Sequence, residues 1–193
     1  HSQGTRVEVR DLFFATPARL KFLKTKRTEL NHTVDAVKRL AMAHPKIAFS
    51  LGDGERQILK LPCAQGNLLS ARLDRVSSIM GNEFGDNALP IEAEREGLSL
   101  TGYTGLPTLN RGNTAFQYLF VNGRPVRDKL LYGAVRGVYR DFLAHDRHPL
   151  LALFMEAPPD TLDINVHPAK TEVRFRDAGL LRGLIVSALK HAL

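Results

Sequence analysis

The chain has 193 residues, of which 44% are hydrophobic and 24% charged, the composition of a globular protein with a sizeable core. Its single cysteine, Cys63, excludes an internal disulfide and favours a reducing compartment. The longest wholly apolar run, 150–155, is far too short to cross a bilayer. The net charge of +7 favours an anionic partner such as nucleic acid, although many basic domains bind nothing in particular.

The first 45 residues predict a strand, a junction and a helix. Residues 5–14 alternate apolar and polar side chains and then become apolar, which predicts a strand entering a buried site. Pro17 ends this strand, and the five cations within 19–27 indicate a junction between domains. From Thr28 the apolar spacing is helical until Pro45 closes the segment. The apolar face of this predicted helix consists of Leu30, Val34, Val37 and Leu40.

The rest of the chain combines hairpins with helices. Strands are predicted at about 47–52 and 56–61, on both sides of Glu96-Gly97, before Asn122-Gly123 and at 150–157, and helices at about 67–80, 128–143 and 178–193. The near-continuous apolar run at 150–157 indicates a strand in the middle of a sheet covered on both faces. Polar residues at 110–115 predict a mobile loop. We therefore expect an α+β fold, with helices layered on a mostly antiparallel or mixed sheet.

The predicted helix 128–143 is the most amphipathic segment. Its apolar residues project within a narrow arc: Leu131, Val135, Val138 and Phe142. Cations precede the helix or occupy its opposite face: Arg124, Arg127, Lys129, Arg136 and Arg140. This pattern fits either a solvated surface or a site for phosphate groups. Because no aromatic residue interleaves with the cations, we expect any DNA binding to be sequence-independent and salt-sensitive, without base stacking.

Common catalytic and metal motifs are excluded. Residues 168–171 resemble the end of a phosphate-binding loop but lack its glycine cradle, and 102–107 lack the third glycine of a dinucleotide fingerprint. His145 and His148 have no further ligand nearby, so we expect no metal site. Lys170 follows Pro168 between two strand-like segments, in the stretch DINVHPAKTEVRF, 163–175. That position suits a lysine held toward an anion, and it suits an ordinary loop equally well.

Three long blocks resemble, in the same order, the N-terminal half of the MutL family of DNA mismatch repair proteins. They are GTRVEVRDLFFATPARLKFLK, QYLFVNGRPVRDKLL and DINVHPAKTEVRF. The resemblance implies an ATPase related to gyrase, the Hsp90 chaperone and histidine kinases. It assigns 1–27 to the last strand and junction of the ATP-binding domain, and 28–193 to a transducer domain. That domain is expected to have a ribosomal-protein-type fold with a left-handed βαβ crossover.

The resemblance also assigns site residues and partners. Gly4 and Thr5 would contribute to the nucleotide site, and Lys170 would reach the γ-phosphate as both a cofactor-binding and a catalytic residue. ATP with magnesium would be the cofactor of the full-length protein, with none bound to this chain. DNA would bind non-specifically at the cations named above, where the family often has Arg at the position of Lys129. In addition, many relatives have Asn at the position of Ala15.

From the family resemblance and the lack of an initiator Met, we expect the chain to be a piece of a longer protein. The expected partners are a MutS-type mismatch recognition protein and a second copy in an ATP-dependent dimer, without a membrane, in a bacterial-type cytoplasm near the nucleoid. The family's glutamate base, metal-binding asparagine and lid motifs are not found in this sequence, so we expect no ATPase activity from the chain alone. The alternatives are a stand-alone basic nucleic-acid module and the transducer domain of a type II topoisomerase.

Overall fold

The computed structural model describes residues 3–163 and 171–193. Two compact units make up the chain, His1–Asp35 and Ala36–Leu193, and the division falls inside helix α1 (Lys26–Ala43). The sequence-based domains, 1–27 and 28–193, rest on the family resemblance and stay a prediction.

The first unit contains no β-ladder among its described residues. Residues 5–10 are without regular structure, and a turn follows in which Asp11 and Phe13 have positive φ angles of 49° and 71°. A short 3₁₀ helix, Pro17–Phe22, leads toward α1. The strand predicted at 5–14 is therefore not formed here, because a strand requires a hydrogen-bonded neighbour and no described residue pairs with this segment.

The second unit contains the remaining helices and all the described strands. They are, in chain order, β1 (Phe49–Asp53), β2 (Arg56–Leu61), α2 (Leu68–Met80), α3 (Asn82–Asp86), β3 (Ala88–Arg95), β4 (Leu98–Gly105), β5 (Asn110–Arg111), β6 (Gln117–Val121), β7 (Arg124–Val126), α4 (Lys129–Tyr139), β8 (His148–Pro149), β9 (Leu151–Glu156), β10 (Leu162–Asp163), β11 (Arg174–Phe175) and α5 (Ala178–Ala192). The loop predicted at 110–115 thus includes β5 and the start of a 3₁₀ helix, Thr114–Phe116. The predicted helices and hairpins elsewhere in this unit are formed.

The main sheet is mixed and has the strand order β3-β4-β9-β6-β7. β9 pairs antiparallel with β4 and parallel with β6, so the central position predicted for the apolar run is confirmed. The Asn122-Gly123 turn connects β6 to β7 with φ angles of 47° and 72°. Two consecutive positive φ angles match the twist of a tight hairpin, which is why Asn-Gly is favoured there. The observed architecture confirms the α+β class with a mixed sheet.

The sheet is buried on both faces. Along β9, Leu151 and Leu153 pack into a cluster with α4 and α5, whereas Ala152 and Phe154 pack into a second cluster with α2 and the end of α1. This alternation follows from the two-residue period of a strand. Gly102 of β4 allows close approach, since a Cβ there would lie 2.2 Å from the carbonyl oxygen of Ala152. The two central strands therefore have no room for a side chain at this point.

A buried arginine joins α2 to the segments around it. Arg75 is 2% exposed, and its guanidinium donates hydrogen bonds to four main-chain carbonyls. Nη1 donates to the oxygen of Ala41 at 3.0 Å, and Nη2 lies 2.9, 2.9 and 2.7 Å from the oxygens of Pro45, Ile47 and Pro62. Desolvation lowers the pKa of Arg75 from its ordinary value, but a guanidinium remains protonated in proteins. Arg75 thus holds the C-terminal end of α1 and the end of β2 together.

The residues buried at the C-terminal end of α1 differ from those that the sequence predicts. Leu40, predicted on the buried face, is 46% exposed, while Ala41 and Met42 are fully buried. Both buried residues belong to the cluster beneath the sheet. The prediction was wrong at Leu40 because several consecutive apolar positions left the direction of the buried face undetermined.

Candidate nucleic-acid interface

Helix α4 begins and ends at identifiable residues. The Asp128 carboxylate accepts hydrogen bonds from the main-chain N–H groups of Leu130 and Leu131 at 2.9 and 3.3 Å, the usual role of an N-cap. The helix ends at Tyr139, with Arg140 as its C-cap. Phe142, predicted on its buried face, follows the helix and is 48% exposed. That prediction was wrong because the apolar spacing continued past the point where the helix stops.

Three of the predicted cations share the exposed side of α4. We refer to Lys129, Arg136 and Arg140 as the α4 cations, and all three are exposed, whereas Leu131 and Val135 are buried in the core. Their spacing of seven and four residues places them along one face of an α-helix. Within the described part of the chain, no carboxylate forms an ion pair with Lys129 or Arg140.

The α4 cations line a pocket between α4 and the segment 143–149, which we name the α4 pocket. Its volume is about 350 Å³, and none of the described residues that line it is acidic. Tyr132 and Tyr139 contribute rings to its wall, and Arg147 adds a fourth guanidinium or ammonium group. The structure therefore corrects the expectation that no aromatic residue accompanies the cations. The three-residue spacing from Lys129 to Tyr132 could have revealed this in the sequence.

Hydrogen bonds fix the wall of the α4 pocket. Arg136 Nη2 donates to the carbonyl oxygen of His145 at 3.4 Å, and Arg147 Nε donates to Asn110 Oδ1 at 2.5 Å. The segment 143–149 is thus attached both to α4 and to the neighbouring strand β5. These two contacts, both within the second unit, define the position of the segment 143–149 at the pocket wall.

The buried tyrosine of the pocket is uncharged at neutral pH. The Tyr139 hydroxyl is 2.5 Å from Thr104 Oγ1. Burial raises the pKa of Tyr139 to about 12, and the hydrogen bond with Thr104 opposes this rise. Tyr139 therefore contributes a neutral ring, and the charge of the pocket comes from its cations.

The other two predicted DNA-binding residues lie outside the α4 pocket. Arg124 is exposed on β7, and Arg127 is exposed just after that strand. The Arg127 main-chain N–H donates to the carbonyl oxygen of Thr171 at 2.7 Å, which places it beside the segment leading to β11. The structure thus brings three of the five predicted cations together, and leaves one on β7 and one just after that strand.

Two of the three residues predicted to meet a nucleotide belong to the first unit. Gly4 and Thr5 are exposed in the first unit, and Gly4 has a φ angle of 146°. Lys170 lies outside the described residues. Within 3–163 and 171–193, no group of three His, Cys, Asp or Glu side chains could hold a metal ion. None of the helices that the structure describes is long and apolar enough to span a membrane.

Comparison with known proteins identifies the class of this chain. Residues 76–193, more than half of the chain, match the family described as DNA mismatch repair protein, C-terminal domain. The chain therefore belongs to this family.

Two curated relatives indicate the protein more specifically. The whole chain is 67% identical to DNA mismatch repair protein MutL of Rhodospirillum rubrum and covers 31% of that protein. It is 63% identical to the MutL of Paramagnetospirillum magneticum and covers 32% of it. The chain thus spans about a third of the length of these curated relatives. The resemblance to MutL seen in the sequence is confirmed.

Solved structures agree with this assignment. The Aquifex aeolicus MutL ATPase domain complexed with ADP superposes with a TM-score of 0.60 at 27% identity, over 92% of this chain and 55% of that one. The N-terminal domain of a DNA repair protein superposes with a TM-score of 0.68 over 93% of this chain and 58% of that one. At 22% identity, the second match shows the fold alone.

Proposed function

We propose that this chain is the DNA-associating and ATP-sensing transducer part of a mismatch-repair ATPase. In the full-length protein it couples ATP binding to dimerisation of two N-terminal halves and to signalling toward downstream repair factors. Its partners are DNA, a second copy of itself and a MutS-type mismatch recognition protein, and its compartment is the bacterial cytoplasm near the nucleoid. The observation that carries the proposal is the exposed row of α4 cations.

The α4 cations suit the phosphate backbone of DNA. All three side chains are exposed, and their spacing places them on one face of the helix. None of the described residues that line the α4 pocket is acidic. Lysine and arginine side chains that neutralise phosphates release counterions, so binding is independent of base sequence and weakens as salt rises. Arg124 and Arg127 extend the positive surface along the strand that precedes the helix. Lys129 contributes a point charge there, without the planar fork of an arginine.

The nucleotide role rests on the first unit and on Lys170. No described atom lies within 4 Å of the position of a Cβ on Gly4, so its backbone is open to a phosphate. The assignment of Gly4 and Thr5 to the nucleotide site itself rests on the family resemblance. Bound ATP with magnesium would supply the phosphoryl group for hydrolysis. The binding of ADP by the related Aquifex aeolicus domain supports a nucleotide site in this protein.

Lys170 is the proposed sensor of the γ-phosphate. Its ammonium would gain a charge-assisted contact only when ATP is bound and the domains have closed. No described cluster of carboxylates is suited to a metal, so magnesium would be held by ATP and by residues elsewhere in the full-length protein.

The finer fold of the second unit belongs to this proposal. β6 and β9 are parallel neighbours, and the chain between them contains β7 and α4. We assign this connection to the left-handed βαβ crossover of the ribosomal-protein-type fold found in the family. An experimental structure that shows a right-handed connection would contradict this assignment.

Charge reversal of the α4 cations tests DNA association. We expect the triple variant K129E, R136E, R140E to lose DNA binding, measured by fluorescence anisotropy at several salt concentrations, while its thermal unfolding stays near wild type. A matched control reverses three exposed cations on the β1–β2 hairpin and on α5, namely R56E, K60E and K190E. Both variants change the net charge equally.

The salt dependence separates a local contact from a general charge effect. Loss of three phosphate contacts should reduce the slope of log affinity against log salt by about three in the first variant, or abolish measurable binding. The control should bind DNA with a slope near wild type. Equal losses in the two variants would mean that only net charge matters, and the proposed interface would be rejected.

A further inference from the structure

We propose that the α4 pocket accepts one unstacked base of a DNA strand, while the cations at its rim hold the phosphates on either side. This inference rests on the DNA association proposed above and adds a base-binding subsite to it. The observation behind it is the combination of a concave site, ring-bearing walls and, along α4, a rim of cations that form no ion pair with a described carboxylate.

The shape of the α4 pocket suits a compact planar group. Its volume of about 350 Å³ is at the lower end of the range for small-molecule sites. Tyr132, His145 and His148 present rings at its wall, and Leu143 and Pro149 present apolar surface. A base has an apolar face that stacks on such rings, whatever its identity. A base inside a duplex cannot reach a concave site without leaving its stack.

The charges around the α4 pocket suit a nucleotide strand. Arg136 and Arg147 are hydrogen-bonded within the protein, to the main chain of His145 and to Asn110. Lys129 and Arg140 are at opposite ends of the lining face of α4, about 16 Å apart along the axis at 1.5 Å per residue. Neither forms an ion pair with a described carboxylate. They are therefore placed to contact phosphates before and after an inserted base.

A glycine on the pocket face provides a clean way to fill the site. Gly133 lines the α4 pocket, and Gly137 lies one turn later on the same helix without lining it. Both are exposed, and a Cβ added at either would meet no described atom within 4 Å. Replacing either with leucine leaves the charge unchanged and improves helix propensity. G133L therefore places an apolar side chain at the pocket lining and narrows the pocket, and G137L is its matched control.

The test compares two single-stranded oligonucleotides of equal length and phosphate number. One is oligo(dT), and the other carries abasic sites in place of its bases. We expect the 193-residue wild type to bind oligo(dT) about ten-fold more tightly, from the stacking of one base on aromatic side chains. G133L should lose this preference and keep the weaker, salt-dependent binding of the abasic strand. G137L should behave like the wild type.

Other outcomes reject the inference in distinguishable ways. Equal binding of the two strands by the wild type would leave phosphate association intact and exclude a base subsite. An unchanged preference in G133L would place the base elsewhere. Binding of neither strand would reject the proposed DNA association as well. If a glutamate-rich peptide of matched charge displaces oligo(dT) as well as unlabelled oligo(dT) does, the site is a general anion or acidic-peptide site and the proposal fails.

Discussion

Replacing Arg75 with methionine should destabilise the second unit by about 2 kcal/mol. Two of the carbonyls that Arg75 satisfies, those of Ala41 and Pro45, are in fully buried contacts, but the Pro45 oxygen also accepts a hydrogen bond from the Ala64 main-chain N–H at 3.0 Å. The cost therefore comes mainly from the Ala41 oxygen, because a buried acceptor that loses its partner costs about 1–3 kcal/mol. Methionine retains most of the apolar stem packing, and the contacts to Ile47 and Pro62 are partly open to water. Loss of the contacts to Ile47 and Pro62 therefore adds little to the destabilisation.

Urea unfolding measures this cost directly. A domain of this size has an m-value toward the upper end of about 1–3 kcal/mol per molar urea, so a loss of about 2 kcal/mol lowers the midpoint by roughly 0.7 M. Arg72 provides the matched control, because it lies on the same helix and its Nη1 donates to a side chain, Thr101 Oγ1, at 2.9 Å and not to a buried carbonyl. Arg72→Met should cost about half as much or less. If the two variants lose equal stability, or Arg75→Met loses less than about 1 kcal/mol, the four-carbonyl argument is wrong.

Three further predictions concern separate parts of the molecule. Gly102→Ala should cost at least about 2 kcal/mol in thermal unfolding, since its Cβ would lie 2.2 Å from the Ala152 carbonyl oxygen; a stable variant would mean that β4 and β9 can separate freely. Burial raises the pKa of Tyr139 from 10.0 to about 12, so the unfolded chain ionises first and stability should fall between those pH values by up to about 1.4 kcal/mol per pH unit. Tyr139→Phe should flatten that decline in urea unfolding, and an unchanged slope would refute the assignment. In the full-length protein, Lys170→Ala should slow ATP hydrolysis by about ten-fold to a thousand-fold with unfolding changed by only a few tenths of a kcal/mol; wild-type hydrolysis would make Lys170 an ordinary loop residue.

The sequence predicts local features of this fold well. The Asn122-Gly123 turn has the positive φ angles that its residue types favour, and Gly97 marks the turn at Glu96-Gly97, where Glu96 also has a positive φ angle of 49° that its residue type adopts rarely. The apolar run that became β9 could be assigned to the middle of a sheet because both of its faces are apolar. These predictions succeed because the information lies within a few neighbouring residues.

Features that depend on distant residues were missed. From the sequence, Arg75 cannot be told from a surface cation of a helix, because the carbonyls that it contacts lie 13 to 34 residues away. The predicted strand at 5–14 required a neighbour that local alternation cannot supply. The contribution of Tyr132 to the α4 pocket was also missed. The pocket forms only because the segment 143–149 packs beside α4, and the helix sequence alone does not indicate that contact.

The position of β9 in the sheet determines the order in which the sheet can assemble. β3 and β4 form a hairpin by themselves, as do β6 and β7, and the two hairpins meet only through β9. During synthesis, therefore, neither half can join the other until Glu156 has left the ribosome. Until then the inward edges of β4 and β6 have no partner, and exposed strand edges promote association with other chains. A substitution that delays β9 should therefore lower the yield of soluble protein more than its effect on equilibrium stability would suggest.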